Sequence, residues 1–235
     1  MFRFKQFVID DTHCAMKVGT DAVLLGAWAD LQECRRILDV GCGSGVIALM
    51  AAQRAPEAWI TGVEIDAGAA RDAERNAEAS PFADRMQMVR EDITRFAQRG
   101  LRFDCILSNP PYHQEDLLPP LAARAAARHT GGGGLNFEAL LRAVATLLDA
   151  TCPAARFSLV LPTAALPHFL PLAAVYGFCL TRRTRVITRP GKPCKRTLLE
   201  LRLQAQPTAD DELVLVGDDG GRSAAYATLC RDFYL

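Results

Sequence analysis

The chain has 235 residues, half of them hydrophobic, and 27 Lys and Arg against 27 Asp and Glu give a formal net charge of zero. That balance argues against bulk electrostatic attraction to nucleic acid and leaves only a local basic patch open. Eight cysteines form no C-x-x-C pair and no Cys/His cluster with zinc spacing, which argues for a reduced, cytoplasmic protein without a metal.

The N-terminus, "MFRFKQFVIDDTH", carries charges throughout and lacks the apolar core of a signal peptide. From residue 35 onward apolar runs alternate with helical stretches. "RRILDV" (35–40) reads as a strand, "SGVIALMAAQRA" (44–55) as a helix and "AWITGVEID" (58–66) as a second strand. "AGAARDAERNAEAS" (67–80) reads as a polar-faced helix, followed by strands at "RMQMVRED" (85–92) and "RFDCILSN" (102–109). A helix over "FEALLRAVATLLDA" (137–150) leads to a fifth strand, "ARFSLVLP" (155–162). The longest apolar stretch, "AALPHFLPLAAVYGFCL", is interrupted by Pro167, His168 and Pro171 and is too broken to span a membrane. Beyond Gly177 three strands follow with little helix between them: 178–188, 196–203 and 212–217. A last helix is expected after Ser223 as N-cap. Strand–helix alternation with near-continuous apolar strands predicts an α/β, doubly wound, mostly parallel sheet of seven strands, with an antiparallel C-terminal edge. One domain is expected over 1–235: an N-terminal segment (1–34), a core (35–162) and a C-terminal part (163–235).

"LDVGCGSGV" puts Gly41, Gly43 and Gly45 just after the first strand, where glycine permits a tight turn and close approach of a ligand to the backbone. Val46 stands where a dinucleotide fingerprint has its third glycine, which argues against NAD. Asp39 precedes the loop, Glu64 ends the second strand and Asp92 the third. Ligands of open α/β sheets sit beyond the carboxyl ends of the strands, so the three acids are expected around one crevice. This set resembles the class I S-adenosylmethionine-dependent methyltransferases over about residues 37–162. The resemblance implies S-adenosyl-L-methionine as cofactor. It places the glycine loop under the methionine part, Glu64 on the ribose, Asp92 on the adenine amino group and Ile65 against the adenine ring.

"SNPPYHQ" ends the fourth strand on the same rim. The Asn109 side-chain carbonyl and the Pro110 carbonyl are two acceptors side by side, matched to the two hydrogens of a planar amino group. Tyr112 offers a flat face, and base–aromatic stacking is worth ~1–3 kcal/mol. Asn109-Pro110-Pro111-Tyr112 is similar to the motif of methyltransferases acting on planar nitrogen: adenine N6, guanine N2 or glutamine N5. The motif points to the reaction type and leaves the substrate open.

"FKQF" followed by "CAMKVGTDAVLLGAW" (14–28) resembles the bacterial adenine-N6 methyltransferases that modify position 37 of valine tRNA. The likeness continues at "ARH" (127–129), "VLP" (160–162) and the C-terminal "AYATLCRDFYL", while the "GGGGLN" loop is richer in glycine than the family pattern. The resemblance implies tRNA as partner, no membrane, no obligate protein partner, and Lys17, Thr20 and Asp21 near the methionine end of the cofactor. Residues 20–29 also read, without any ligand, as a helix capped by Thr20 or Asp21. Arg128 and His129 are candidate substrate contacts. The basic stretch "TRRTRVITRPGKPCKR" (181–196) supplies Arg189, Lys192, Lys195 and Arg196 for phosphate contact. In it strand alternation sets Arg183 and Arg185 on one face and Arg182 on the other, and "RPGKP" forms an outward turn.

Three other readings compete. Release-factor glutamine-N5 methyltransferases, like rRNA guanine-N2 enzymes, share the tetrapeptide, but the former carry a separate N-terminal helical domain, and only about 35 residues precede the first strand here. A non-catalytic nucleotide-binding module would use the glycine loop alone.

Overall fold

The computed structural model describes residues 1–111 and 135–235; Tyr112, His113, Arg128, His129 and the glycine-rich 131–134 lie outside the described residues. A short antiparallel pair, β1 (Phe2–Arg3) and β2 (Val8–Ile9), opens the chain and leads to α1 (Thr20–Trp28). The alternating core follows: β3 (Arg36–Val40), α2 (Val46–Arg54), β4 (Trp59–Glu64), α3 (Ala67–Glu78), β5 (Met86–Arg90), α4 (Ile93–Phe96) and β6 (Cys105–Ser108). After the undescribed stretch come α5 (Phe137–Leu147), β7 (Arg156–Pro162), α6 (Leu166–Val175), β8 (Cys179–Ile187), β9 (Arg196–Arg202), β10 (Ala209–Val214) and α7 (Ala224–Cys230).

The main sheet runs β10-β8-β9-β7-β6-β3-β4-β5. Neighbours from β5 to β7 pair in parallel, and the antiparallel pairings fall in the C-terminal part, at β7–β9 and β8–β9. The described sheet has eight strands where seven are expected: all eight runs read as strands enter it, with β10 at the edge, parallel to β8. Since β9 alone is reversed, β8 ends on the same rim as β3 to β7, which bears on the site below.

Strand alternation divides the core between the two faces. Ile37 and Ile60 pack with Leu24, Leu49 and Met50 on one side, and Leu38 and Val40 with Phe96, Leu140 and Val144 on the other. Residues 22–28 of α1 are all buried, as for a helix apolar all round. Neither Thr20 nor Asp21 caps α1; extended Gly19 holds that position without a side-chain bond. Asp21, in the first turn, instead accepts from Arg196 Nε at 2.7 Å. Ser223 does cap α7, its hydroxyl accepting from Tyr226 N at 3.1 Å.

Helix α6 runs through the proline-broken apolar stretch. Pro167 lies in its first turn, where a missing N–H costs no bond, and Pro171 lies inside it. No helix among the described residues is long and apolar enough to cross a membrane.

Candidate active site

A cleft of about 310 Å³ opens at the carboxyl ends of β3, β4 and β6 and beyond β5. Gly41 and Gly43 form its floor, and Gly41, Gly43 and Gly45 have φ of +68°, +55° and +84°. These left-handed values are why glycine stands there. A Cβ on Gly45 would lie 3.5 Å from Ala73 of α3; one on Gly41 would meet nothing within 4 Å, so it would enter the cleft.

Glu64 ends β4 on the cleft wall, held by two backbone donors. Gly43 N donates to Oε2 and Asp66 N to Oε1, each at 2.9 Å. Each carboxylate oxygen keeps a second lone pair for a ligand. The next residue, Ile65, is 60% exposed and also lines the cleft, an apolar platform beside a fixed acid. Asp92 caps α4 by accepting from Thr94 N at 2.7 Å and from the Thr94 hydroxyl. The hydroxyl bond is the main reason its carboxyl sits below the usual range, against the opposing effect of burial. Asn109 and Pro111 line the cleft beyond β6; Pro110 between them is buried.

Asp39 does not join Glu64 and Asp92 at the crevice. It is fully buried, and its Oδ2 accepts from Ala48 N at 3.0 Å in the first turn of α2. The physical reason is depth: Asp39 lies inside β3 and meets the first turn of α2, whereas Glu64, of the same strand parity, is the last residue of β4. Burial pushes its carboxyl up to about 7; the Ala48 N–H opposes this and the Glu64 charge adds to it. Its Oδ1 has no partner among the described residues.

Lys17, Thr20 and Asp21 are not among the residues lining the cleft. Lys17 Nζ donates to the carbonyls of Asp11 (2.6 Å) and Thr12 (3.2 Å), and Thr20 is the exposed first residue of α1. The N-terminal contribution comes just earlier, from Cys14, Ala15 and Met16. No spacing in the sequence singles these three out; the signal lies in α3, where Asp72 and Asn76, four apart, are buried and hold the segment before them.

The basic strand is laid out as alternation predicts. Arg182 stacks over Trp28, 4.1 Å from the ring centroid, and the opposite face carries Arg183 and Arg185, ion-paired to Asp210 and, at 3.7 Å, Glu212 on β10. Arg189, Lys192 and Lys195 are exposed on the turn between β8 and β9, where Lys192 N donates to Arg189 O at 3.1 Å. That turn touches the end of β7 through Thr163 N and Lys195 O, at 3.1 Å.

Comparison with known proteins adds to this geometry. The family model "Methyltransferase small domain" matches residues 13–136. The chain is 42% identical over 235 residues to a protein of Tolumonas auensis, covering 100% of this chain and 96% of that one. It is 44% identical over 235 residues to a protein of Aeromonas hydrophila, covering 100% and 97%. Both relatives are named tRNA1(Val) (adenine(37)-N6)-methyltransferase. Among solved structures, the predicted O-methyltransferase Atu636 from Agrobacterium tumefaciens superposes with a TM-score of 0.70 at 20% identity, over 91% of this chain and 96% of that one, a likeness of fold alone. With a glycine-floored cleft on a methyltransferase sheet and full-length likeness to these relatives, the chain belongs to the tRNA1(Val) (adenine(37)-N6)-methyltransferase family.

Proposed function

We propose that the protein transfers a methyl group from S-adenosyl-L-methionine to the exocyclic N6 of an adenine in tRNA, at position 37 of a valine tRNA. The observation that carries this is the convergence of Gly41, Glu64, Ile65, Asp92 and Asn109 on one cleft, in a chain similar over its whole length to enzymes named for that reaction.

The residues present fit this cofactor. The open space above Gly41 would receive its methionine part, the second lone pairs of Glu64 would accept from ribose hydroxyls, and Ile65 would pack on the adenine ring. Asp92 accepts from the adenine amino group. The cofactor supplies an electrophilic methyl on a positively charged sulfur. A target amino group then needs aim more than prior loss of a proton, and the surplus proton of the methylated nitrogen would pass to water afterwards. Asn109 and Pro110 supply that aim through two carbonyl acceptors for its two hydrogens, which turns the nitrogen lone pair toward the methyl. Tyr112 stacks on the adenine, which must leave its own stack to reach the cleft. Arg189, Lys192 and Lys195, with Arg128, His129 and Arg196, hold the RNA. In this reading 1–34 covers the cofactor, 35–162 binds it and 163–235 faces the tRNA, within one cytoplasmic domain.

The test is methyl transfer from labelled cofactor to a panel of individual tRNAs, with the product nucleoside mapped by mass spectrometry. N6-methyladenosine at position 37 of valine tRNA is expected; its absence from every tRNA sinks the proposal. Methylation of a Gly-Gly-Gln peptide instead would restore the glutamine reading.

A further inference from the structure

The residues that line the cleft from the N-terminal side are held from behind by one helix. Asp72 of α3 is 0% exposed and Asn76, one turn on, is 5% exposed. Such burial of polar groups is tolerated only when their bonding capacity is met. Asp72 meets it with His13: His13 N donates to Oδ2 at 2.6 Å, and His13 Nδ1 lies 2.8 Å from Oδ1, so the ring must present its proton there. Arg75 Nη2 adds a third donor at 2.6 Å. Burial pulls the Asp72 carboxyl upward, but the two His13 donors and Arg75 outweigh it and leave the group below the usual carboxylate range.

Asn76 acts as a backbone mimic. Its Oδ1 accepts from Asp10 N at 2.9 Å, and its Nδ2 donates to Asp10 O at 2.8 Å and to Ser44 O, in the glycine loop, at 2.9 Å. One side chain therefore joins the N-terminal segment, α3 and the loop that floors the cleft. The packing is equally close. A Cβ on Gly68 would stand 3.1 Å from His13 Cβ and from His13 O, and one on Gly43 would stand 3.4 Å from Cys14 Sγ. The residues that follow this anchor, Cys14, Ala15 and Met16, form cleft wall, and Met16 is 56% exposed there.

We propose that Asp72, supported by Asn76, is a positioning residue for the cofactor. It fixes through His13 the wall made by Cys14, Ala15 and Met16, and so sets cofactor affinity without lining the cleft itself. The proposal rests on the cofactor reading given above.

The experiment uses the full chain with Asp72→Asn, His13→Ala and His13→Asn. Affinity for S-adenosylhomocysteine is measured by calorimetry, KM and kcat with tRNA by methyl transfer, and amide hydrogen exchange along the chain. Asp72→Asn removes the charge from a charge-assisted bond pair, so affinity is expected to fall about ten-fold. The loss appears in the cofactor KM far more than in kcat, and exchange quickens over residues 11–18 while β3 to β6 stay protected. His13→Ala, at a side chain 47% exposed, follows in the same direction even where Asp72→Asn fails to fold. His13→Asn recovers most of the affinity, because its amide places an N–H near the position of the ring Nδ1–H. Folded variants that bind S-adenosylhomocysteine as tightly as wild type overturn the proposal. So does a loss that falls on kcat with faster exchange throughout, the mark of a purely structural role. A wild-type protein that does not bind S-adenosylhomocysteine overturns the cofactor reading, and this inference with it.

Discussion

Asn109 stands between two fixed neighbours: buried Ser108, whose hydroxyl donates to Val40 O at 2.9 Å, and buried Pro110. Its backbone is thereby set before any substrate arrives, the condition under which one aimed acceptor has full effect. Asn109→Ala should leave cofactor affinity nearly intact and cut single-turnover methyl transfer by ~100-fold or more, the usual cost of one preorganised polar group. A rate near wild type would refute the assigned role. Asp39 makes a separate prediction through pH. Its carboxyl is pushed up to about 7 in the folded protein, against about 3.9 when unfolded. Between those values the folded state binds more protons than the unfolded one, so Asp39 lowers stability as pH rises through that window. The effect is at most about 4 kcal/mol. Asn does not titrate, so Asp39→Asn should gain stability relative to wild type from pH 4 to pH 7 and hold that difference above it. Urea midpoints of the two proteins at pH 5 and pH 8 check this; parallel shifts would mean that the buried carboxyl carries no such cost.

At the scale of elements, the glycine loop separates two effects that a single substitution usually mixes. Gly41→Ala and Gly45→Ala both force a side chain onto left-handed backbone, at about 1–2 kcal/mol each. At Gly45 the new methyl meets Ala73 at 3.5 Å, ordinary contact, whereas at Gly41 it projects into the open cleft. Both variants should therefore melt earlier, but only Gly41→Ala should also lose S-adenosylhomocysteine binding beyond that loss of stability. Equal affinities in calorimetry would show that no ligand atom sits above Gly41. This loop, and the placing of Glu64, Asp92 and Asn109 on its cleft, was legible in the sequence because each lies at a strand end, a local feature, while Ile65 came from the family resemblance. What was illegible depended on partners distant in the chain. Asp21 looked like a cap or a cofactor contact and is turned to Arg196. His13 carried no assignment until Asp72, on a helix read only as polar-faced, proved to be buried behind it. Helix α6 was hidden by two prolines, one of them harmless in the first turn.

For the whole molecule, a formal net charge of zero leaves no general field to draw in a polyanion, so RNA affinity must come from where the charges stand. The reversal of β9 alone decides this. Because β8 runs with β7, the turn that follows it, with Arg189, Lys192 and Lys195, emerges on the rim that carries the cleft. The arginines earlier in the same run already have partners, Arg183 and Arg185 the acids of β10 on the sheet surface and Arg182 the ring of Trp28. Lys192 and Lys195 make no ion pair among the described residues. Each phosphate contact releases condensed counterions, so log affinity falls with log salt by ~0.7–0.9 per contact. Replacing Lys192 and Lys195 together with Gln should weaken tRNA binding at low salt and flatten the salt slope by ~1.4 to 1.8, with cofactor affinity kept. Arg183→Gln is the contrasting variant: it removes one positive charge from β8, ahead of the turn, and one already paired with Asp210, so the slope should hold. A slope unmoved by the lysine pair, or moved as much by Arg183→Gln, would take the turn out of the RNA-binding surface.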